Sequence, residues 1–317
     1  MKKKFTNFTL ILFIAFLVFS VFKNINSVSS SIEFSINIFL KNIFPSLFPM
    51  FILTSILTSI GLPTLFGNIF NNICIFLFKT KGISAFVFFS SLLSGFPSSG
   101  RIINELLEKK LINEIDAEKM LNFTFLANPL FVINTVGVMF LNDKKMGIII
   151  YISHVISNII IGILFRNLYN IKEIKKNINI KKELVSFNNN LSKVNIIKEF
   201  LESISKTLLT LLNVFGIITC FIVLLNLIKL DINPFFNSLL KGLIEQTTGL
   251  KYLSLTNISY KLKVYASAFL ISFGGLSIHT QIFNILSKYK IKYYPFLLAR
   301  IIHALISVLL VYIMINL

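Results

Sequence analysis

The sequence predicts an all-α polytopic membrane protein with two related halves that contain broken or re-entrant helices. Three observations predict it. The 317-residue chain is 55% hydrophobic, and several runs reach the ~20 residues that cross a bilayer. Glycine- and proline-bearing clusters interrupt those runs at Ser94–Arg101, at Asn128 and Pro129, and at Gly274–Ser277. Motifs of the first half also recur, weakly, in the second.

Charge and cysteine usage narrow the class. Lysine and arginine number 31 against 13 acidic residues, a formal net charge of +18. In an apolar chain this excess belongs to basic cytoplasmic loops beside anionic lipid. The longest basic stretch has no aromatic interleaving, which argues against nucleic acid as a partner. Cys74 and Cys220 lie in apolar segments with no CxxC and no nearby histidine, so two buried free thiols and no metal site are expected. The chain has three histidines and no HExxH, paired-aspartate or phosphate-loop motif, which points away from an enzyme and implies no cofactor.

In chain order, Lys2–Lys4 precede the apolar stretch 5–22, read as a retained first span with a cytoplasmic N-terminus. The second span, 36–60, carries Pro45 and Pro49 and is expected to kink or to begin at Pro49. Residues 65–78 are too few to cross. The run from Ile83 descends to Ser94-Gly95-Phe96-Pro97-Ser98-Ser99-Gly100-Arg101, where two glycines and a proline cannot continue a helix. This reads as a hairpin tip presenting backbone donors and a cation to an anion. Asn113 is an expected N-cap for a helix over 114–125, whose early acids Glu114, Asp116 and Glu118 suit the helix dipole.

Asn128 and Pro129 break the apolar run 121–141 near its centre, Asn128 as N-cap and Pro129 opening a new half-helix. Discontinuous helices of this kind mark the sites of secondary transporters. The span 146–165 holds His154, read as a helix–helix hydrogen-bond partner. Residues 166–199, with seven lysines and Arg166, read as a cytoplasmic connector. The second half brings a span at 203–228 and an amphipathic piece from Asn233 to Gly249 that includes Glu245. An apolar run over 264–286, interrupted at Gly274-Gly275-Leu276-Ser277, and a last span over 293–316 holding Arg300 and His303 complete it.

The expected division is a membrane span and connector at 1–35, a gate-like repeat at 36–168, a basic linker at 169–199 and a second repeat at 200–317. An offset of 179 lays Gly95 on Gly274 and Ser98 on Ser277, leaving 117–146 without a counterpart; an offset of 149 lays His154 on His303.

At three stretches the chain resembles the YlbJ-type sporulation integral membrane proteins, which belong with gate-domain (nucleoside-recognition) proteins similar to concentrative nucleoside transporters. The first runs from Ser94 to Leu106 and on to Ala117-Glu118 and Asn128-Pro129-Leu130-Phe131. The second is Gly242-Leu243-Ile244-Glu245. The third is Ser272 to His279 together with Pro295 to Ala304. They follow the family order across about 40–315. The chain departs from the family at Ser99-Gly100-Arg101, where a small residue and lysine are expected, and at Leu126-Ala127, where a more polar run is usual. The resemblance implies action in endospore formation, moving dipicolinic acid out of the mother cell across the outer forespore membrane.

The residue chemistry suits such an anion independently, because a guanidinium grips a carboxylate with two parallel hydrogen bonds. The expected substrate-binding residues are Ser98, Ser99, Arg101, Asn128, Gly274, Ser277 and Arg300. Glu245, His279 and His303 are candidate proton carriers or structural partners, with Glu245 a candidate counter-charge for Arg300. The expected partners are a small anionic substrate, the lipid bilayer and, left open, further copies of the chain. The competing readings are a carrier of nucleosides or other small metabolites and a non-transporting assembly protein of the sporulation membrane.

Overall fold

The computed structural model describes residues 15, 16, 18–168, 194–228 and 232–317, and these are helical, with no strand among them. Five helices are long and apolar enough to cross a membrane: Ile25–Ser59, Lys144–Asn167, Ile196–Leu227, Tyr260–Ile285 and Tyr293–Asn316. The protein is therefore an all-helical polytopic membrane protein. Most of the segment expected to form the cytoplasmic connector, and most of the first apolar stretch, lie outside the described residues.

The first half begins with α1, Ile25–Ser59. It starts earlier than the apolar pattern suggested and runs through both prolines. Pro45 has no N–H for the carbonyl four residues back. The helix widens just ahead of it into a π-helical turn, Phe39–Ile43, where the Phe44 N–H reaches back to the Phe39 carbonyl. Two short helices follow, α2 (Leu62–Ile69) and α3 (Asn71–Phe78). Helices α4 (Ser84–Ser94) and α5 (Ser98–Glu108) form a hairpin whose tip is Gly95–Pro97. Gly95 has φ +78°, and a Cβ there would lie 2.4 Å from the Asn128 nitrogen, so the tip is seated against the next break.

Helix α6 (Glu114–Thr124) starts at a capping box. Asn113 Oδ1 accepts from the Asp116 N–H at 2.8 Å, and Asp116 Oδ2 accepts from the Asn113 N–H at 3.1 Å. The chain breaks after α6 and resumes as α7 (Phe131–Phe140), which is π-helical throughout. Helix α8 (Lys144–Leu164) returns, capped by Asp143, whose carboxylate accepts from the Met146 N–H at 3.1 Å. That bond holds the Asp143 carboxyl below its ordinary range. The cap therefore stabilises the fold above the unfolded carboxylate pKa, ~3.9, and is lost as pH falls.

The second half repeats this order. Helix α9 (Ile196–Leu227) corresponds to α1, and α10 (Pro234–Ile244) with α11 (Gln246–Ser254) forms a second hairpin. Helices α12 (Tyr260–Phe273) and α13 (Gly275–Ile285) are the halves of a second broken helix, and α14 (Tyr293–Asn316) closes the chain. The second hairpin was not evident in the sequence, where 233–249 read as one amphipathic piece. Its tip is Glu245, which caps α11 by accepting from the N–H groups of Thr247 and Thr248 at 3.1 and 2.7 Å. The offset of 179 is corrected by this order, because it pairs a hairpin tip with a broken helix. The offset near 149 pairs like with like, His154 on α8 with His303 on α14.

Hydrogen bonds at the helix ends define two opposite faces. On one, Asn226 donates to Ser31 at 2.7 Å, Tyr260 to Asp143 at 3.0 Å and Lys261 to Asn316 at 3.5 Å. On the other, Ser59 donates to Glu199, Lys79 to Asn167 at 2.5 Å and the Lys292 N–H to Glu118 at 2.8 Å. Helices α1 and α9 therefore run in opposite senses. The α4–α5 hairpin enters from the second face and the α10–α11 hairpin from the first, so the halves have inverted topology. Two buried clusters knit them together. One joins Ile102, Ile103 and Leu121 to Ile282 and Phe296, and the other joins Val132 and Ile150 to Leu250, Leu270 and Val311.

Lipid is as apolar as these side chains, so close packing rather than the hydrophobic effect holds such helices together. Helices α10 and α11 meet at Gly242 and Gly249, where a Cβ on Gly249 would lie 2.0 Å from the Gly242 Cα. Cys74 is buried as expected, but Cys220 is exposed, because α9 turns that face outward. A Cβ on Gly216 of the same helix meets nothing within 4 Å. The two glycines should therefore respond oppositely. Gly249→Ala is expected to cost about 1–3 kcal/mol or more by overpacking, whereas Gly216→Ala should be neutral or stabilising. Thermal unfolding of the purified protein in detergent measures both; a Gly249→Ala protein as stable as the parent would refute the close α10–α11 contact.

Candidate functional site

The break between α6 and α7 releases backbone groups that no helix satisfies. Pro129 has no N–H, so the Phe125 carbonyl four residues earlier loses its partner. Asn158 on α8 supplies one, its Nδ2 donating at 2.8 Å. The Ala127 N–H donates to His154 Nε2 at 2.9 Å. That contact places the His154 proton on Nδ1, which donates to Ser272 Oγ at 3.1 Å. Arg300 on α14 donates through Nη2 to the Asn122 carbonyl and through Nη1 to Asn158 Oδ1 at 3.2 Å. Its guanidinium lies 4.9 Å from the Phe125 ring centre and 5.4 Å from that of Phe296. Asn128 caps α7 as anticipated, accepting from the Leu130 N–H at 2.8 Å.

The second break is met in the same way. Gly274 has φ +89° and abuts the Phe125 ring, where a Cβ would lie 2.4 Å from Cζ. His279 Nε2 donates to the Phe273 carbonyl at 2.8 Å, and Nδ1 accepts from the Tyr293 hydroxyl at 3.0 Å. The His303 ring lies between the Ser272 and His154 carbonyls, at 2.9 and 3.0 Å, with Arg300 Nη1 3.1 Å from Nδ1. The His154 and His303 ring centres are 4.8 Å apart. One buried polar cluster thus serves both breaks.

Beside this cluster lies a cavity of about 350 Å³. Both hairpin tips reach it, through Phe96 and Pro97 and through Glu245, Gln246 and Thr247. Asn128, Asn134 and Thr135 come from the first broken helix, and Ile278 and Gln281 from the second. Helix α1 contributes Lys41, Asn42 and Ser46. Asn128 Nδ2 donates to Ser46 Oγ at 2.5 Å and to the Ser94 carbonyl at 3.1 Å, tying α1, the first tip and the first break together.

Of the ten candidate site residues named from the sequence, Asn128 and Glu245 line the cavity and the other eight do not. Arg101 turns to α1 and its own helix, donating to Ser55 Oγ at 2.8 Å and Glu105 at 3.3 Å, with Phe51 beneath it at 4.5 Å. Ser98, Ser99 and Ser277 are buried, their hydroxyls meeting no partner among the described residues. Arg300 and Glu245 are not a pair: Arg300 binds Asn122 and Asn158, and Glu245 binds the Thr247 and Thr248 N–H groups. His279 and His303 serve backbone carbonyls. Sequence reasoning missed Asn158, although its i+4 spacing from His154 on an apolar helix put both on one face. It also missed Lys41, a lysine inside an apolar run.

Among known proteins, the chain is 26% identical over 328 aligned positions to the sporulation integral membrane protein YlbJ of Bacillus subtilis (strain 168), covering 94% of this chain and 80% of that one. The likeness to this YlbJ-type protein thus extends over most of both chains. No protein-family model and no solved structure matches the chain.

The polar cluster predicts a structural role for Arg300. An arginine at the bilayer centre costs ~2.5–3.5 kcal/mol, and hydrogen bonds to a charged group return ~1.5–3 kcal/mol each, so its bonds to Asn122 and Asn158 offset that cost without a bound anion. Arg300→Gln is expected to lower the yield of folded protein, and adding Glu245→Gln should not restore it. Fluorescence size-exclusion chromatography reads both; recovery in the double variant would re-establish the Glu245–Arg300 pair.

Proposed function

We propose that the chain is a secondary transporter moving a small anionic aromatic metabolite through the cavity between the hairpin tips. By the family resemblance the cargo is dipicolinic acid and the location is the outer forespore membrane. The observation that carries this reading is the cavity itself. Two hairpins entering from opposite faces end at one space, and broken helices supply the rest of its wall. Such discontinuous helices place substrate sites near the bilayer midplane. A volume of about 350 Å³ is at the small end of ligand pockets, which span ~300–1,000 Å³, and suits a single-ring compound. Phe96 and Phe131 offer ring faces, and the amides of Asn42, Asn134 and Gln281 offer hydrogen bonds.

The two hairpins are held differently. Helix α5 is clamped to α1 through Arg101, Glu105 and Ser55, with Ser55 Oγ donating to Glu105 at 2.6 Å. Ser59 and Glu199 join α1 to α9 on the same face. This favours a state closed toward the second face. Transport then requires these contacts to open while the opposite side closes.

Glu245 in the lining favours a second reading, a carrier of nucleosides or another uncharged metabolite, because a carboxylate repels an anionic cargo unless it is neutralised. Uptake by the purified protein in proteoliposomes tests both. Radiolabelled dipicolinate should enter in a saturable manner, and Thr135→Trp, which fills the cavity, should abolish entry while leaving a monodisperse protein. Entry of uridine but not dipicolinate would favour the second reading. Absence of any entry would favour an assembly role.

A further inference from the structure

We propose that Lys41 is the cation that receives a carboxylate of the cargo, aimed into the cavity by the π-helical turn of α1. The inference rests on the transporter reading and deepens it, by naming the residue that makes the cavity select an anion.

Position is the first support. Lys41 lies close to the middle of the 35-residue helix α1 and lines the cavity. A lysine so far from either helix end cannot reach an interface easily, and an ionisable residue at that depth marks a substrate path far more often than a packing role. The second support is the lack of a partner. Among the described residues no hydrogen bond or ion pair engages the Lys41 ammonium. Glu245, the other charged residue of the lining, is turned to the Thr247 and Thr248 N–H groups at the start of α11. There its charge is matched by the helix N-terminus.

The third support is backbone geometry. The described chain has two π-helical segments, Phe39–Ile43 and Phe131–Phe140, and both face the cavity. The first presents Lys41, Asn42 and Ile43, and the second presents Phe131, Asn134 and Thr135. π-turns are rare and concentrate at functional sites, because the extra residue in the turn redirects neighbouring side chains. The last support is exclusion. Arg101 is bound to Glu105 and Ser55, and Arg300 to the first break. Neither arginine lines the cavity.

The chemistry fits a carrier. An ammonium is a point charge on a flexible stem, and it releases a carboxylate more readily than the planar two-point grip of a guanidinium. The fitting ligand is a small planar aromatic carboxylate, with one carboxylate at Lys41, the ring against Phe131 and Phe96, and remaining acceptors at Asn42, Asn134 and Gln281.

The test is binding to the purified full chain in detergent, by isothermal titration, with dipicolinate and its neutral diamide as probes. The parent should bind the dianion about tenfold or more tightly than the diamide, the ratio expected of one charge-assisted hydrogen bond. Lys41→Gln should erase that preference while leaving the diamide affinity unchanged, and Lys41→Arg should retain it. Binding with this pattern but no uptake in proteoliposomes would strike down the carrier reading and leave the Lys41 site standing. An undiminished dianion preference in Lys41→Gln, a parent that prefers the diamide, or a parent that binds neither probe would each overturn the proposal.

Discussion

Two interrupted helices cross where the surroundings are apolar, and the backbone groups they release must find partners inside the protein. In such a medium each unsatisfied N–H or C=O costs several kcal/mol. The fold meets the demand with one compact set of side chains. Asn158 takes the Phe125 carbonyl orphaned by Pro129, His154 takes the Ala127 N–H, and Arg300 takes the Asn122 carbonyl. His303 and His279 attend to Ser272 and Phe273 across the second break. Because His154 also touches Ser272, and Arg300 also touches His303, neither break can move without disturbing the other. The long helices α8 and α14 act chiefly as the carriers of this set.

This arrangement divides the polar residues into two groups. Those with the strongest charge or the most directional bonding sit in the cluster, fully enclosed, and hold the backbone. Those around the cavity are mostly neutral amides, with Glu245 turned to a helix N-terminus and Lys41 without a hydrogen bond or ion pair among the described residues. On the proposed carrier reading, a cavity of amides suits binding and release better than a site built on enclosed arginines. The inverted order of the halves adds the geometry. Each hairpin reaches the centre from its own face.

Much of this was readable in the residues, for stated reasons. Hydropathy and length announced the spans, because lipid admits only helices and barrels. Gly95 with Pro97, Asn128 with Pro129, and Gly274 with Gly275 announced three breaks, because glycine and proline act on the backbone locally whatever surrounds them. The caps at Asn113 and Asn128 were equally local. Glu245 was harder, since its break involves neither a proline nor a positive-φ glycine and depends on a carboxylate capping the next helix.

The sequence by itself determined that the chain is a helical membrane protein interrupted at defined residues. Tertiary structure decided what the interruptions are for. Whether an intramembrane arginine holds a ligand or a backbone carbonyl depends on which helix lies opposite, and the Asn122 and Asn158 partners of Arg300 are far away along the chain. The same holds for the register of the two halves. Weak identity offered both 179 and 149, and only the order of hairpin and broken helix in space separates them. Lys41 shows the limit most directly. One lysine in an apolar run has no local signature of function; it becomes a candidate only once a π-turn, two hairpin tips and a cavity lie around it.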